Sequence, residues 1–143
     1  MKIYFSGSIA GGRKYLEIYK KIVGYLKGNG HKVLSEHIIV DNIFDYENAW
    51  SPQGIYERDI RFLQECNVVV AEVSNPSLGV GYEICYAIEH QIPTLCIYQP
   101  DIFVSRMIVG NNSPYMTLFE YQDEKLLFEK LDEFLNRAEI ELY

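Results

Sequence analysis

A chain of 143 residues is long enough for one core burying about two-thirds of the unfolded surface, so stability requires neither a metal nor a disulfide. With 48% hydrophobic and 23% charged residues, the composition is that of a globular protein and excludes disorder as the main state. The net charge of −7 excludes broad electrostatic binding to nucleic-acid polymers or anionic membranes, but not a phosphorylated small molecule held by local N–H and O–H donors.

The acid is unevenly spread. From Glu120 to Tyr143 there are eight acidic and three basic residues, so much of the charge belongs to the C-terminal segment and not to a site. Cys66, Cys85 and Cys96 form no Cys-x-x-Cys pair and lie near apolar residues, as buried free thiols in a reducing compartment would. The chain opens directly into Lys2-Ile3-Tyr4-Phe5, without a leader pattern. No apolar run approaches the roughly 18 residues of a membrane span. A soluble, cytoplasmic protein is expected.

Ile3–Phe5 reads as a short strand ended by Ser6-Gly7-Ser8. Leu16, Tyr19, Ile22, Val23 and Leu26 then recur at helical spacing, and Gly28-Asn29-Gly30 stops that helix. Lys32–Ser35 is a second short strand. The stretch from Asp41 to Pro52 is irregular, a loop or a broken helix. Ser51-Pro52 supplies an N-cap with proline at the first helical position, opening a helix that carries Ile55, Tyr56, Ile60 and Leu63. Asn67–Val73 is a nearly continuous apolar run suited to a strand buried on both faces. After the turn Ser74-Asn75-Pro76-Ser77, a helix runs from Leu78 to His90. A fourth strand (Thr94–Tyr98), a short helix (Phe103–Val109), a fifth strand (Tyr115–Phe119) and a helix with Leu126, Leu127, Leu131, Phe134 and Leu135 complete the chain.

This alternation predicts an α/β fold in a single domain, residues 1–143. It is Rossmann-like (flavodoxin-like), with a five-stranded parallel sheet and helices on both faces. Ligands of such sheets sit beyond the carboxyl ends of the strands, which directs attention to residues 6–13 and 74–83.

Ser6-Gly7-Ser8-Ile9-Ala10-Gly11-Gly12-Arg13 lies between the first strand and the first helix. It is neither a dinucleotide fingerprint nor a P-loop, and is either a structural turn or a cradle for a ligand. Asn75-Pro76-Ser77-Leu78-Gly79-Val80-Gly81-Tyr82-Glu83 is more specific. Glycines in a helix's first turn cost up to about 1 kcal/mol each relative to alanine, a cost more readily accepted where something lies against bare backbone. Ser77 is either a donor to an anion or simply an N-cap, and Glu83 either reaches the crevice or is a solvated acid favoured by the helix dipole.

Asp59 borders the buried face of its helix, whereas Glu57, Arg58, Arg61 and Glu65 read as a solvated face with local ion pairs. Asp59 and Glu83 together would make a two-acid set, which in sugar chemistry divides into a nucleophile and an acid or orienting group. His31, His37 and His90 lack metal-ligand spacing and, with the cysteines isolated, do not suggest zinc. His37 follows the second strand, near a ligand's place, and Tyr4 stands at the end of the first. Ser105-Arg106-Met107 opens the short helix without visible chemistry of its own.

Taken together, Tyr4-Phe5-Ser6-Gly7-Ser8-Ile9, Gly11-Gly12-Arg13, Asp59, Val68–Val73 and Asn75–Glu83 resemble the nucleoside 2-deoxyribosyltransferase superfamily. The likeness is to its 2'-deoxynucleoside 5'-phosphate N-hydrolases in particular. Ser35-Glu36-His37 and Ser105-Arg106-Met107-Ile108 fit the same pattern; residues 41–54 and the acidic C-terminal helix do not. The resemblance implies cleavage of (2'-deoxy)nucleoside 5'-monophosphates to free base and sugar 5-phosphate through a covalent intermediate on Glu83. Asp59 and Tyr4 would assist, Ile9 and His37 would line the base pocket, and Ser8, Ser77 and the glycine-turn amides would hold phosphate. It further implies a homodimer in which Ser105, with Met107 beside it, completes the neighbouring site, and chemistry that needs no metal or organic cofactor. Ser6, Gly7, Gly11, Gly12, Arg13, Gly79 and Gly81 belong to the same substrate-binding set. Ala10 stands where such N-hydrolases often carry arginine, which weakens phosphate selection unless Arg13 compensates. A deoxyribosyltransferase acting on unphosphorylated nucleosides and a non-catalytic nucleotide-binding domain are the alternatives.

Overall fold

Every residue of Val68-Val69-Val70-Ala71-Glu72 is buried, and this run is the central strand of the sheet in the computed structural model, which describes residues 1–141. The strands are β1 (Lys2–Ser6), β2 (Lys32–Val33), β3 (Val68–Glu72), β4 (Thr94–Tyr98) and β5 (Met116–Glu120). They lie in the order β2-β1-β3-β4-β5, all parallel. The helices are α1 (Leu16–Gly28), α2 (Ile43–Asn48), α3 (Pro52–Glu65), α4 (Leu78–Glu89), α5 (Arg106–Val109) and α6 (Glu124–Glu141). The five-stranded parallel architecture read from the sequence is borne out. No described helix is long and apolar enough to cross a membrane.

Successive strand side chains point to opposite faces of the sheet, and this divides the core. Ile3, Phe5, Val68, Val70, Leu95 and Ile97 pack with residues of α1 and α6 on one face. Tyr4 and Val69 pack with Leu63 and Ala87 on the other, and Ala71 and Cys96 with Val80 and Ile84. The strand order reverses between β1 and β3, so a crevice opens beyond the carboxyl ends of these two strands. Ser6 pairs with Ala71 there, and both loops singled out in the sequence start at that edge.

Two elements depart from the sequence reading, and a third takes one of the two forms it left open. The second strand is only Lys32–Val33, because Ser35 leaves the ladder and replaces it with its side chain. Its buried hydroxyl accepts from the Phe5 N–H (2.8 Å) and donates to the Phe5 carbonyl (2.7 Å). A 3-10 turn, Glu36–Ile39, follows and presents His37. The irregular 41–52 stretch contains α2, and α5 is confined to Arg106–Val109 because Val104 turns into the core.

Ser35→Ala would leave both Phe5 backbone groups without their buried partner. A loss of about 1–3 kcal/mol in unfolding free energy is expected, seen as a lower urea midpoint at unchanged m-value.

Candidate active site

Tyr4 and Ser6 are two residues apart on β1 and therefore share the face that looks toward α3 and α4. Tyr4 is mid-strand, not at the strand's end as its sequence position suggested. Its hydroxyl donates to Glu83 Oε1 at 2.9 Å, and Ser6 Oγ donates to Glu83 Oε2. Glu83 lies in the second turn of α4, beside Val80, Ile84 and Ala87, which fix that helix on the sheet. Burial pushes its carboxyl up to about 7; the Ser6 and Tyr4 hydrogen bonds oppose this, nearby Asp59 adds to it and Arg58 subtracts. Burial, then the Glu83 charge, holds the Tyr4 phenol well above its usual range, so Tyr4 stays a donor.

Asp59 is gripped by its own neighbour. Arg58 donates to Asp59 Oδ1 through Nε (2.9 Å) and to Oδ2 through Nη2 (3.2 Å). Nη2 also lies 2.9 Å from His37 Nε2, and because a guanidinium has no acceptor, His37 Nε2 must accept and the ring proton must sit on Nδ1. Burial first, then Arg58, lowers His37 to about 4, so the ring is neutral near pH 7. Arg58 corrects the sequence reading, since only 4% of it is exposed. The 3-10 turn and the 43–50 segment fold over the α3 face that periodicity alone leaves to solvent. Tyr56, read as apolar-face, is instead half exposed with its hydroxyl 3.3 Å from that of Tyr82.

The two loops beyond β1 and β3 are cross-linked. Asn75 Nδ2 donates to the carbonyls of Gly11 and Gly12, both at 3.1 Å. Gly11 is required by packing, since a Cβ there would lie 2.4 Å from the Pro76 carbonyl oxygen, and Gly12 has φ +116°. Four expected ligand contacts are engaged within the protein itself. Gly7 packs against the Tyr19 ring, and Ser8 is fully buried, its N–H on the Tyr19 hydroxyl and its Oγ without a partner among the described residues. Arg13 spends its guanidinium on the carbonyls of Ser8, Ile38 and Val40 and so ties the glycine loop to the segment after β2. Ile9 packs against the α1-side core.

The N-terminus of α4 is open on another flank. Ser77 caps the helix by accepting from the Val80 N–H (3.4 Å), and its own hydroxyl proton stays available. Ser77, Gly79 and Gly81 share a groove of about 1040 Å³ with Val104, Ser105 and Met107. Glu83 does not line it. A Cβ on Gly81 would meet nothing within 4 Å, so no protein group demands glycine there. Ser105 is exposed and caps α5 through the Met107 N–H at 3.3 Å.

Besides Arg58, the sequence reading passed over Asn75 and Glu72. Glu72 is fully buried, accepts from the Ser74 hydroxyl and N–H and from Tyr121 (3.2 Å), and burial lifts its carboxyl to about 7. The signal for Glu72 was present: a charged residue in a strand buried on both faces must find partners. The described residues contain no cluster of His, Cys, Asp and Glu able to hold a metal ion. A carboxylate with one hydroxyl donor on each oxygen and a second acid beside it is equipped to attack, or to stabilise, an electron-poor carbon.

Residues 3–136 match the family described as nucleoside 2-deoxyribosyltransferase. A Methanococcoides burtonii protein bearing the name of a candidate 2'-deoxynucleoside 5'-phosphate N-hydrolase 1 is 47% identical over 111 residues, 78% of this chain and 91% of its own. The 5-hydroxymethyl-dUMP N-hydrolase of Danio rerio is 41% identical over 128 residues, 87% of either chain. Among solved structures, the CMP N-glycosidase BcmB of Clostridium botulinum shares the fold with a TM-score of 0.70 at 20% identity, over 94% of this chain and 99% of that one.

Tyr4→Phe removes a donor that favours ionised Glu83. The Glu83 carboxyl should then titrate above about 7, read by carbon-13 NMR of the side-chain carboxyls and assigned by its loss in Glu83→Gln.

Proposed function

The chain belongs to the nucleoside 2-deoxyribosyltransferase family, and we propose that within it this protein is an N-hydrolase of (2'-deoxy)nucleoside 5'-monophosphates. The observation that carries the reading is the Glu83 carboxylate, oriented by the Tyr4 and Ser6 hydroxyls with Asp59 nearby as a second acid. The names of the relatives support the same substrate class.

The reaction needs a group that meets positive charge on the anomeric carbon as the N-glycosidic bond breaks. One Glu83 oxygen bonds that carbon while the base departs with the bonding pair and takes up a proton. Water then adds to the same carbon and loses a proton to solvent, and the sugar 5-phosphate leaves with the Glu83 carboxylate restored. Asp59, its carboxylate pinned by Arg58, orients the sugar hydroxyls. The 5'-phosphate lies at the α4 N-terminus, on backbone N–H groups and the Ser77 hydroxyl, where the helix dipole favours an anion.

Two copies of the chain complete the site. Leu78, Phe103 and Met107 are 96%, 78% and 82% exposed around the apolar groove, a concentration of apolar surface that fits a second copy on this face. Ser105 from that copy would reach the phosphate. Cys66 and Cys96 are free thiols that burial holds at about 12, whereas Cys85, expected to be buried, is exposed on α4; three free thiols suit a reducing, cytoplasmic setting.

Glu83 works ionised, so kcat/KM should climb as pH rises through about 7. Stability should move the other way. Carboxyls raised by burial, as Glu72 and Glu83 are, favour the fold fully below the ordinary glutamate value and lose that contribution as pH rises through about 7. Urea midpoints and initial rates over pH 4.5 to 8.5 check both trends.

Incubation with dCMP, dGMP and dUMP should release free base, and Glu83→Gln should lower the rate at least about a hundredfold with binding retained. Base exchange between deoxyadenosine and free cytosine, without cleavage of any monophosphate, would overturn the hydrolase reading in favour of a transferase. Mixing Glu83→Gln with Ser105→Ala should restore activity above either parent, because one site of the mixed dimer would hold both native residues. No gain on mixing removes the shared site.

A further inference from the structure

Arg58 touches no reacting atom in the chemistry just described, yet its placement is costly. It is a cation that cannot discharge, buried at the boundary between α3 and the segment that crosses over it. Its Nη1 is buried without a partner among the described residues. A buried cation with an idle donor is worse for stability than a neutral residue of similar size, so a stability role alone does not account for it.

Its contacts point three ways. Nε and Nη2 hold both oxygens of Asp59, and Nη2 also donates to His37. The guanidinium lies under two aromatic rings, 5.6 Å from the centroid of Trp50 and 6.0 Å from that of Tyr46, with Glu47 at 3.7 Å. Tyr46 in turn stacks on His37, with centroids 5.8 Å apart and planes within 16°. A six-residue helix is unstable by itself, α2 has no side-chain N-cap, and only Ile43 among its residues is buried. Besides the ties at its start, Arg13 to the Val40 carbonyl and Lys20 to Asp41, residues 43–50 are fastened by the buried Ile43, by the Tyr46 stack on His37 and by Arg58, which alone joins them to Asp59.

We propose that Arg58 is a positioning residue that joins Asp59 to the 43–50 segment, making Tyr46 and Trp50 the wall against which the nucleobase is judged. This rests on the N-hydrolase reading. On that reading Asp59 meets the sugar, and the guanidinium that grips it also bonds His37 and lies against the Tyr46 and Trp50 rings. A base that fits the wall keeps Arg58, and therefore Asp59, in register. A base that displaces the wall loosens Asp59 at the moment the glycosidic bond must break. Selection among bases is thereby expressed in turnover more than in binding.

Trp50 is the only tryptophan of the chain, so its emission reports on the wall directly. Arg58→Gln should shift that emission to the red and lower kcat by about 10- to 100-fold with KM changed less than about threefold. It should also narrow the spread of kcat/KM across monophosphates of different bases. Arg58→Lys keeps the charge but not the planar fork, and should recover only part of kcat. Unshifted emission, or wild-type kcat and base spread in Arg58→Gln, overturns the proposal. If Arg58→Gln does not fold, Tyr46→Leu combined with Trp50→Phe tests the wall with the Arg58–Asp59 pair intact. A narrowed base spread supports the proposal, and an unchanged spread overturns it. Should the wild type cleave no monophosphate, the N-hydrolase reading falls by itself, while the emission comparison still decides whether Arg58 holds the wall.

Discussion

Glu83 is held by two hydroxyls of one strand, and this contact depends on nearly every other feature of the fold. Tyr4 and Ser6 can both reach it only because strand side chains alternate, and only because β1 lies beside the central strand at the point where strand order reverses. The helix that carries Glu83 must also be seated to within a hydrogen bond, which Val80, Ile84 and Ala87 achieve by packing on the sheet. Burial raises the cost of ionising this carboxyl, and the two donors return part of it. The result is a partly buried acid that changes charge near neutrality, where it interacts more strongly than in water with whatever charge develops beside it.

The surrounding polar groups follow one pattern: each is secured by something other than the ligand. Asp59 has Arg58, His37 has the same guanidinium, and the two crevice loops have Asn75 bridging them. Glu72 holds Ser74, which accepts from the Gln99 N–H and so anchors the start of the 74–77 loop to the end of β4. Such support keeps a site in position before substrate arrives, which lowers the reorganisation left to the reaction. It also concentrates buried charge at the carboxyl edge of the sheet, where stability is given up for function.

The sequence was most informative where one interaction repeats along the chain. The stripe Leu16, Tyr19, Ile22, Val23, Leu26 and the run Val68–Ala71 placed a helix and the central strand because burial acts on each of their residues in the same sense. The cap at Ser51-Pro52 was equally local, and Ser51 does accept from the Gly54 N–H. Ser35 falls outside β2 because its hydroxyl takes the place of a backbone partner for Phe5, which no periodicity records. Arg58 was read as solvated because the covering segment comes from elsewhere in the chain. Ser8 and Arg13 carry residue types suited to phosphate, yet one lies beneath the glycine loop and the other clasps the carbonyls of a neighbouring segment.

By itself, then, the sequence determined the order of strands and helices, the parallel sheet, the crevice at its carboxyl edge and the candidacy of Glu83, Asp59 and Tyr4. Those properties follow from local propensity, burial period and short motifs, which are written in consecutive residues. Only the tertiary structure decided which of these groups touch, that Glu83 is bonded by Tyr4 and Ser6, and that Arg58 joins Asp59 to Trp50. Contacts of that kind are set by how separate segments pack in space. The free energy of a buried charge depends on that packing and not on its neighbours in the chain.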